Sequence, residues 1–316
     1  MAMPNALPMD YAPPVRNTVE RRQNLSFQEF VNEYLFPNRP VILTDAAAGW
    51  RALSRWSASF FAQEFRDREV VMAQGKKYFK TTMGDFIQYA GIFADVNRGK
   101  KVENKPYYLR NVIISQNFPE LLNDFKVHEF FLPNWLERWP LKHLFPLAAS
   151  SSSELFVGPQ GASVPVIHRD RFMTHSWLTQ INGRKAFWAV SPEENGLMYQ
   201  DPADPDHSMV NDIVDPDLTR FPLFAKARVL GTVLMPGETV FIPAGWWHTA
   251  ECLDLSISIS GNFVNSSNFS RFREMTTLSA FAGAGRAKRI MNRAVLKAHG
   301  FLYGVMDINY RRRAAS

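Results

Sequence analysis

The spacing of apolar positions changes character twice along the chain. Residues 1–24 carry four prolines and no sustained periodicity, which predicts an extended or disordered arm. Ser26-Phe27-Gln28-Glu29 then reads as a capping box that opens a helix through Leu35, and Pro37 and Pro40 stop it ahead of the strand-like Val41-Ile42-Leu43. Two more helices are predicted over 57–65 and 82–90, so the first third mixes helix and strand. From Pro106 the pattern shifts to short runs rich in β-branched and aromatic residues between turn signals: 107–109, 155–158, 164–168, 177–181, 185–190, 227–234, 239–242, 247–251 and 256–263. Asn182-Gly183 marks a hairpin and Pro236-Gly237 another turn. After Asn268 the period turns helical again, over 273–282 and 287–298.

Many short strands at this spacing predict a mainly β fold with flanking helices, organised as a double-sheet jelly roll. The predicted division is an arm over 1–24, a cupin-like catalytic domain over 25–270 with its core at about 105–270, and a helical, basic segment over 271–316. With 316 residues, 46% of them hydrophobic and 13% aromatic, the chain can bury a large core. No apolar run approaches the roughly 20 residues of a membrane span, and residues 1–16 hold no apolar signal segment, so a cytoplasmic protein with no membrane partner is expected.

Charge and cysteine content narrow the chemistry. The net charge is +6, but ten Lys or Arg follow Ser266 against only Glu274 and Asp307, so the excess belongs to the tail. Solvated helix faces account for that distribution, and nucleic acid is not expected as the main partner. Cys252 is the only cysteine, which rules out an intrachain disulfide and a thiolate metal site. A metal would have to be held by His, Asp or Glu.

Val166-Ile167-His168-Arg169-Asp170 ends an apolar run with a His and a carboxylate two residues apart, on one face of a strand. Such a pair can chelate one ion, and a third ligand from a distant strand would complete a 2-His-1-carboxylate triad, which favours Fe(II) and leaves positions for a 2-oxo acid and O2. A His-x-Asp tripeptide alone is equally compatible with a surface pair on an edge strand. His248 changes the balance: it follows Pro236-Gly237-Glu238-Thr239-Val240-Phe241-Ile242-Pro243-Ala244-Gly245-Trp246-Trp247, a turn, strand and turn that end in two water-excluding rings. His168, Asp170 and His248 are therefore the expected metal ligands and catalytic centre. His128, His143, His207 and His299 lack ligand spacing.

The run from Pro236 to His248, with residues 255–269 after it, resembles the JmjC domains, most of all the lysyl-hydroxylase branch once named as a phosphatidylserine receptor. The likeness covers much of 105–270 and includes Ile167-His168-Arg169-Asp170, Thr174-His175-Ser176-Trp177 and Gly183-Arg184-Lys185. It implies that Lys185 binds the distal carboxylate of 2-oxoglutarate, supported by Tyr108 and Ser260, with Asn262 and Trp177 in the same cosubstrate set. A dianion in a barrel lined with Phe and Trp also calls for a buried cation on physical grounds, although Asn-Gly-Arg-Lys could equally be a solvated charged turn. Ser260 and Asn262 alternate with apolar neighbours and can face inward together. Two positions depart from the branch: Pro165 stands where JmjC enzymes commonly have threonine, and Leu178 where the branch has asparagine. Arg169 and His175 are candidates for substrate contact.

The expected function is thus an Fe(II)- and 2-oxoglutarate-dependent dioxygenase using O2, hydroxylating an amino-acid side chain of a protein or peptide, or a small amino-acid-like molecule. N-methyl demethylation uses the same chemistry, and a metal-binding cupin that is not an oxygenase is the reading from another class. The His-x-Asp pair and Lys185 argue against the latter. Related JmjC hydroxylases pair through C-terminal helices, which implies a homodimer here.

Overall fold

The computed structural model describes residues 15–75, 77–97, 102, 105–137, 152–164, 166–280 and 301. The predicted helix over 287–298, and Pro165, lie outside the described residues. The strands, in chain order, are β1 (Val15–Asn17), β2 (Arg21–Arg22), β3 (Val41–Leu43), β4 (Glu69–Gln74), β5 (Lys77–Thr82), β6 (Tyr108–Ile113), β7 (Glu154–Gly158), β8 (His175–Asn182), β9 (Lys185–Val190), β10 (Gln200–Asp201), β11 (Asp204–Ser208), β12 (Val229–Leu234), β13 (Thr239–Ile242), β14 (Trp247–Cys252) and β15 (Ser256–Phe263).

Two sheets form the jelly roll. The larger runs β2-β3-β13-β8-β15-β7-β6-β4-β5 and the smaller β1-β12-β9-β14, and β10 and β11 pair separately. Period-two alternation decides what each face does. On β8 and β15, Trp177, Ile181, Ile257, Ile259 and Phe263 turn outward into a core shared with Phe30, Phe61, Phe86, Phe118 and Phe131. Those phenylalanines come from the N-terminal helices and the segment that follows them, which therefore lie against the outer face of the larger sheet. On β9 and β14, Trp188, Val190 and Trp247 turn outward to a second core with Met198, Val210, Phe221 and Phe224. The alternate positions, including Ser176, Lys185, Phe187, His248 and Ser260, face a cavity between the sheets.

Local chemistry explains the elements that carry the site. Ser26 caps Phe27–Phe30 with Glu29 returning the bond to the Ser26 backbone, as the sequence predicts. Thr82 caps the helix Met83–Val96, which runs past the predicted end at residue 90. Gly183, at φ +68, turns β8 into β9, and a Cβ there would collide with the Leu255 carbonyl oxygen. Only glycine meets both demands.

The predicted strand over 164–168 is a correction: among its described residues no ladder forms, and His168 touches β14 through the isolated bridge His168↔His248, with Ser163↔Glu251 just ahead of the run. The hairpin of β4 and β5 and the helix Arg51–Arg55 are absent from the sequence reading. Within the arm, β1 pairs in parallel with β12 and β2 with β3. Among the described residues, no helix is long and apolar enough to cross a membrane.

Candidate active site

His168 and His248 meet across the mouth of the smaller sheet. Each backbone N–H donates to the other's carbonyl, at 3.0 and 2.8 Å, and the imidazole centroids stand 4.4 Å apart. Each Nδ1 lies beside a backbone carbonyl two residues back, Val166 O at 3.2 Å and Trp246 O at 3.0 Å. A proton held at Nδ1 by that carbonyl leaves the Nε2 lone pair free, the arrangement that orients a metal-binding histidine. Asp170 joins from the same segment as His168, with Oδ2 3.9 Å from His248 Nε2 and accepting from Ser176 Oγ at 2.5 Å. One ligand atom from each of the three lies within 4.8 Å of the others, the one such group among the described residues. Burial, with His248 beside it, pushes the His168 imidazole down to about 3, so it is neutral at physiological pH. Two imidazoles and a carboxylate with no thiolate suit a borderline divalent metal such as Fe(II).

Lys185 opens β9 and is 1% exposed. Its Nζ donates to Tyr108 Oη at 3.2 Å and Ser258 Oγ at 2.5 Å, and no carboxylate pairs with it among the described residues. Burial lowers the ammonium from the usual lysine value and raises the Tyr108 phenol well above its own. A buried cation satisfied only by hydroxyls is costly unless an anion joins it.

The remaining expected residues divide. Ser260 and Asn262 line the cavity, but Ser260 Oγ donates to Trp177 O and Asn262 Nδ2 to Thr174 Oγ1, and it is Ser258 that touches Lys185. Trp177 is a correction: on the odd face of β8 it stacks on Phe131 in the outer core and does not line the cavity. His175, on the same face, is buried with Ala244 N–H donating to Nδ1 and Nε2 at 2.8 Å from Ser267 Oγ, too deep to meet a substrate. Arg169 lies over the Trp247 ring at 4.6 Å and donates to Pro205 O and Asp206 Oδ1, which fastens β11 beside the metal end.

The sequence reading gives no role to Ser176 and Glu154, which line the cavity, or to Ser258, which touches Lys185. Ser256, Ser258, Ser260 and Asn262 share one parity on β15, so the alternation that singled out the last two carried the signal for Ser258. The cavity itself measures about 1020 Å³, and its wall includes Glu154, Asp170, Lys185, Phe156 and Phe187, with Tyr78 and Arg110 also contributing. Space of that size accepts a small dianion and a side chain together.

The profile of the cupin-like domain family matches residues 27–269. Among similar proteins, lysine-specific demethylase JMJ21 of Arabidopsis thaliana is 29% identical over 260 residues, which cover 79% of this chain and 26% of that protein. Arginine-specific demethylase JMJ20 of Arabidopsis thaliana is 24% identical over 277 residues, 78% of this chain and 57% of its own length. The 2-oxoglutarate and iron-dependent oxygenase JMJD4 of Mus musculus is 27% identical over 265 residues, 77% of this chain and 59% of that protein. The chain thus spans from about a quarter to three fifths of these relatives.

Proposed function

The chain belongs to the cupin-like domain family, and from that membership we propose that it is an Fe(II)- and 2-oxoglutarate-dependent dioxygenase of the JmjC type, acting on an amino-acid side chain of a protein or peptide. One observation carries the reading: a His-Asp-His cluster and a buried lysine without an anionic partner share the wall of one cavity. His168, Asp170 and His248 hold the metal; Lys185, Tyr108 and Ser258 receive the distal carboxylate of the 2-oxo acid, with Ser260 and Asn262 on the adjoining wall. The names of the relatives, an oxygenase and two demethylases, support the same chemistry.

When bound, iron and the 2-oxo acid would supply the oxidising power to place one oxygen atom of O2 in a substrate C–H bond, with the other carried away in succinate alongside CO2. The chain's own residues orient and insulate. Val166 and Trp246 carbonyls fix both imidazole tautomers, Ser176 fixes the Asp170 carboxylate, and Phe187 and Ile242 exclude water from the metal end. Lys185 holds the cosubstrate in one register by a charge-assisted bond. Hydroxylation and N-demethylation both begin by attack on a C–H bond, and the site serves either, depending on which carbon the substrate presents.

The test is conversion of 2-oxoglutarate to succinate by the purified protein with Fe(II) in air, beside anaerobic Fe(II) titration. One Fe(II) per chain is expected, with binding and turnover lost in His168→Ala and Asp170→Ala. Unchanged metal affinity in those variants would reject the ligand assignment.

A further inference from the structure

The cavity wall carries two acids that this chemistry does not use, Asp201, which accepts from the Ala203 backbone N–H, and Glu154. Glu154 opens β7, opposite Ser260 of β15 on one side and Ile113 of β6 on the other. Its side chain shares the cavity face with Phe156, whereas Leu155 and Val157 turn into the outer core. Successive rows on that face then order the wall. Phe156 stands opposite Ser258, which holds Lys185; Glu154 stands opposite Ser260; and Asn262 stands opposite Ser176, which holds Asp170. Glu154 therefore sits between the cosubstrate row and the metal row, two strand spacings (about 10 Å) from the backbone of β8.

The Glu154 carboxyl forms no hydrogen bond or ion pair among the described residues. Burial first, and the Asp170 carboxylate second, push it up to about 7, the mark of a carboxylate short of a cation. Of the arginines that share the cavity, Arg110 donates to Gly75 O, Arg169 to Asp206 and Arg171 to Asp204, and Arg220 lies over the Phe221 ring. Charge balance in the loaded site points the same way. Iron, the Asp170 carboxylate, a dianionic 2-oxo acid and the Lys185 ammonium cancel, which leaves Glu154 as a carboxyl whose ionised form nothing on the β7–β15 wall compensates. A ligand carrying positive charge would restore neutrality where water is scarce.

We infer that Glu154 is the specificity-determining residue of this cavity and receives the ammonium or guanidinium of a cationic amino-acid side chain. The inference rests on the oxygenase reading for its cavity occupants. It separates lysine- or arginine-type substrates from the neutral and acidic side chains that the same chemistry could otherwise attack.

The experiment is capture of a peptide library, varied at its central residue, by the full chain loaded anaerobically with Fe(II) and 2-oxoglutarate. Wild type should enrich central Lys or Arg at least about tenfold over norleucine and citrulline. Glu154→Gln should erase that preference and Glu154→Asp should keep part of it, a rescue that a merely structural role would not give. Free lysine and free arginine, added as competitors, distinguish the sources of the cation: displacement of the peptide at equal concentration assigns a small molecule, and its absence assigns a peptide side chain. Enrichment of neutral or acidic residues, no enrichment, or a preference that survives Glu154→Gln overturns the inference. Succinate formation without any peptide is measured in parallel; its failure sinks the oxygenase reading, and its success beside an indifferent capture profile sinks only the role of Glu154.

Discussion

Lys185 is the side chain whose removal should be felt most selectively. Its ammonium is buried with two hydroxyls for company, so a carboxylate that joins it forms a pair whose breakage costs about 3–5 kcal/mol. Lys185→Ala should raise the KM for 2-oxoglutarate at least about a hundredfold while Fe(II) affinity stays near wild type, read by cosubstrate titration and anaerobic metal binding. Lys185→Arg should also be impaired, because a planar fork does not fill the same cradle. A KM within a fewfold of wild type in Lys185→Ala would place the carboxylate elsewhere. His175 yields a prediction of another kind. Burial first, then Arg271, hold its imidazole down to about 3, against about 6.5 in an unfolded chain. Between those values the unfolded chain binds a proton that the folded chain refuses, so stability is complete above pH 6.5 and falls as pH drops toward 3. Urea melts across that range should show a slope that flattens in His175→Gln; an unaltered slope would assign the acid sensitivity to other groups.

At the scale of elements, the turn that carries the chain from β8 of the larger sheet to β9 of the smaller couples fold to site. Gly183 holds a positive φ against the Leu255 carbonyl, and Lys185 follows two residues later. Gly183→Ala should cost roughly 2 kcal/mol or more, from left-handed strain plus displacement of the β14–β15 connection. The melting temperature should drop by several degrees and the KM for 2-oxoglutarate should rise with it. A variant that melts like wild type would mean that the turn relaxes freely. The same parity that lays Ser176, Ser258 and Ser260 on one face sends Trp177 to the other, so one strand serves the cavity and the core at once.

At the scale of the molecule, the two sheets enclose a cavity with the His168, Asp170 and His248 cluster at one end, where burial holds the His168 imidazole neutral, and the buried Lys185 ammonium at the other. Ligands that meet those demands bind the folded state alone. Fe(II) with 2-oxoglutarate, each at about a hundred times its dissociation constant, should add about 2.7 kcal/mol per bound site and raise the melting temperature by several degrees under anaerobic conditions. The shift should vanish in Asp170→Ala, and a shift retained there would show that the ligands bind outside the cavity.

The sequence by itself determined the strands whose alternation or turn chemistry is local: Lys185–Val190, Thr239–Ile242 and Ser256–Phe263 have the expected bounds and the Ser26 capping box forms as read, whereas the expected Asn182-Gly183 hairpin is a turn that carries the chain from β8 of the larger sheet to β9 of the smaller, and the two strands do not pair. The meeting of His168, Asp170 and His248 was also legible, because their spacing and the rings before His248 speak for themselves. Tertiary structure decided what no local pattern encodes. The 163–168 run touches β14 only at isolated bridges, the hairpin of β4 and β5 joins the larger sheet through β6, and Trp177 turns to the outer core. Whether Ser258 or Ser260 meets Lys185 depends on the offset between two sheets, and parity fixes a face without fixing a row. Glu154 gained its meaning only when folding placed an unpaired carboxyl between the cosubstrate and metal rows, since charge in a sequence carries no record of who stands opposite.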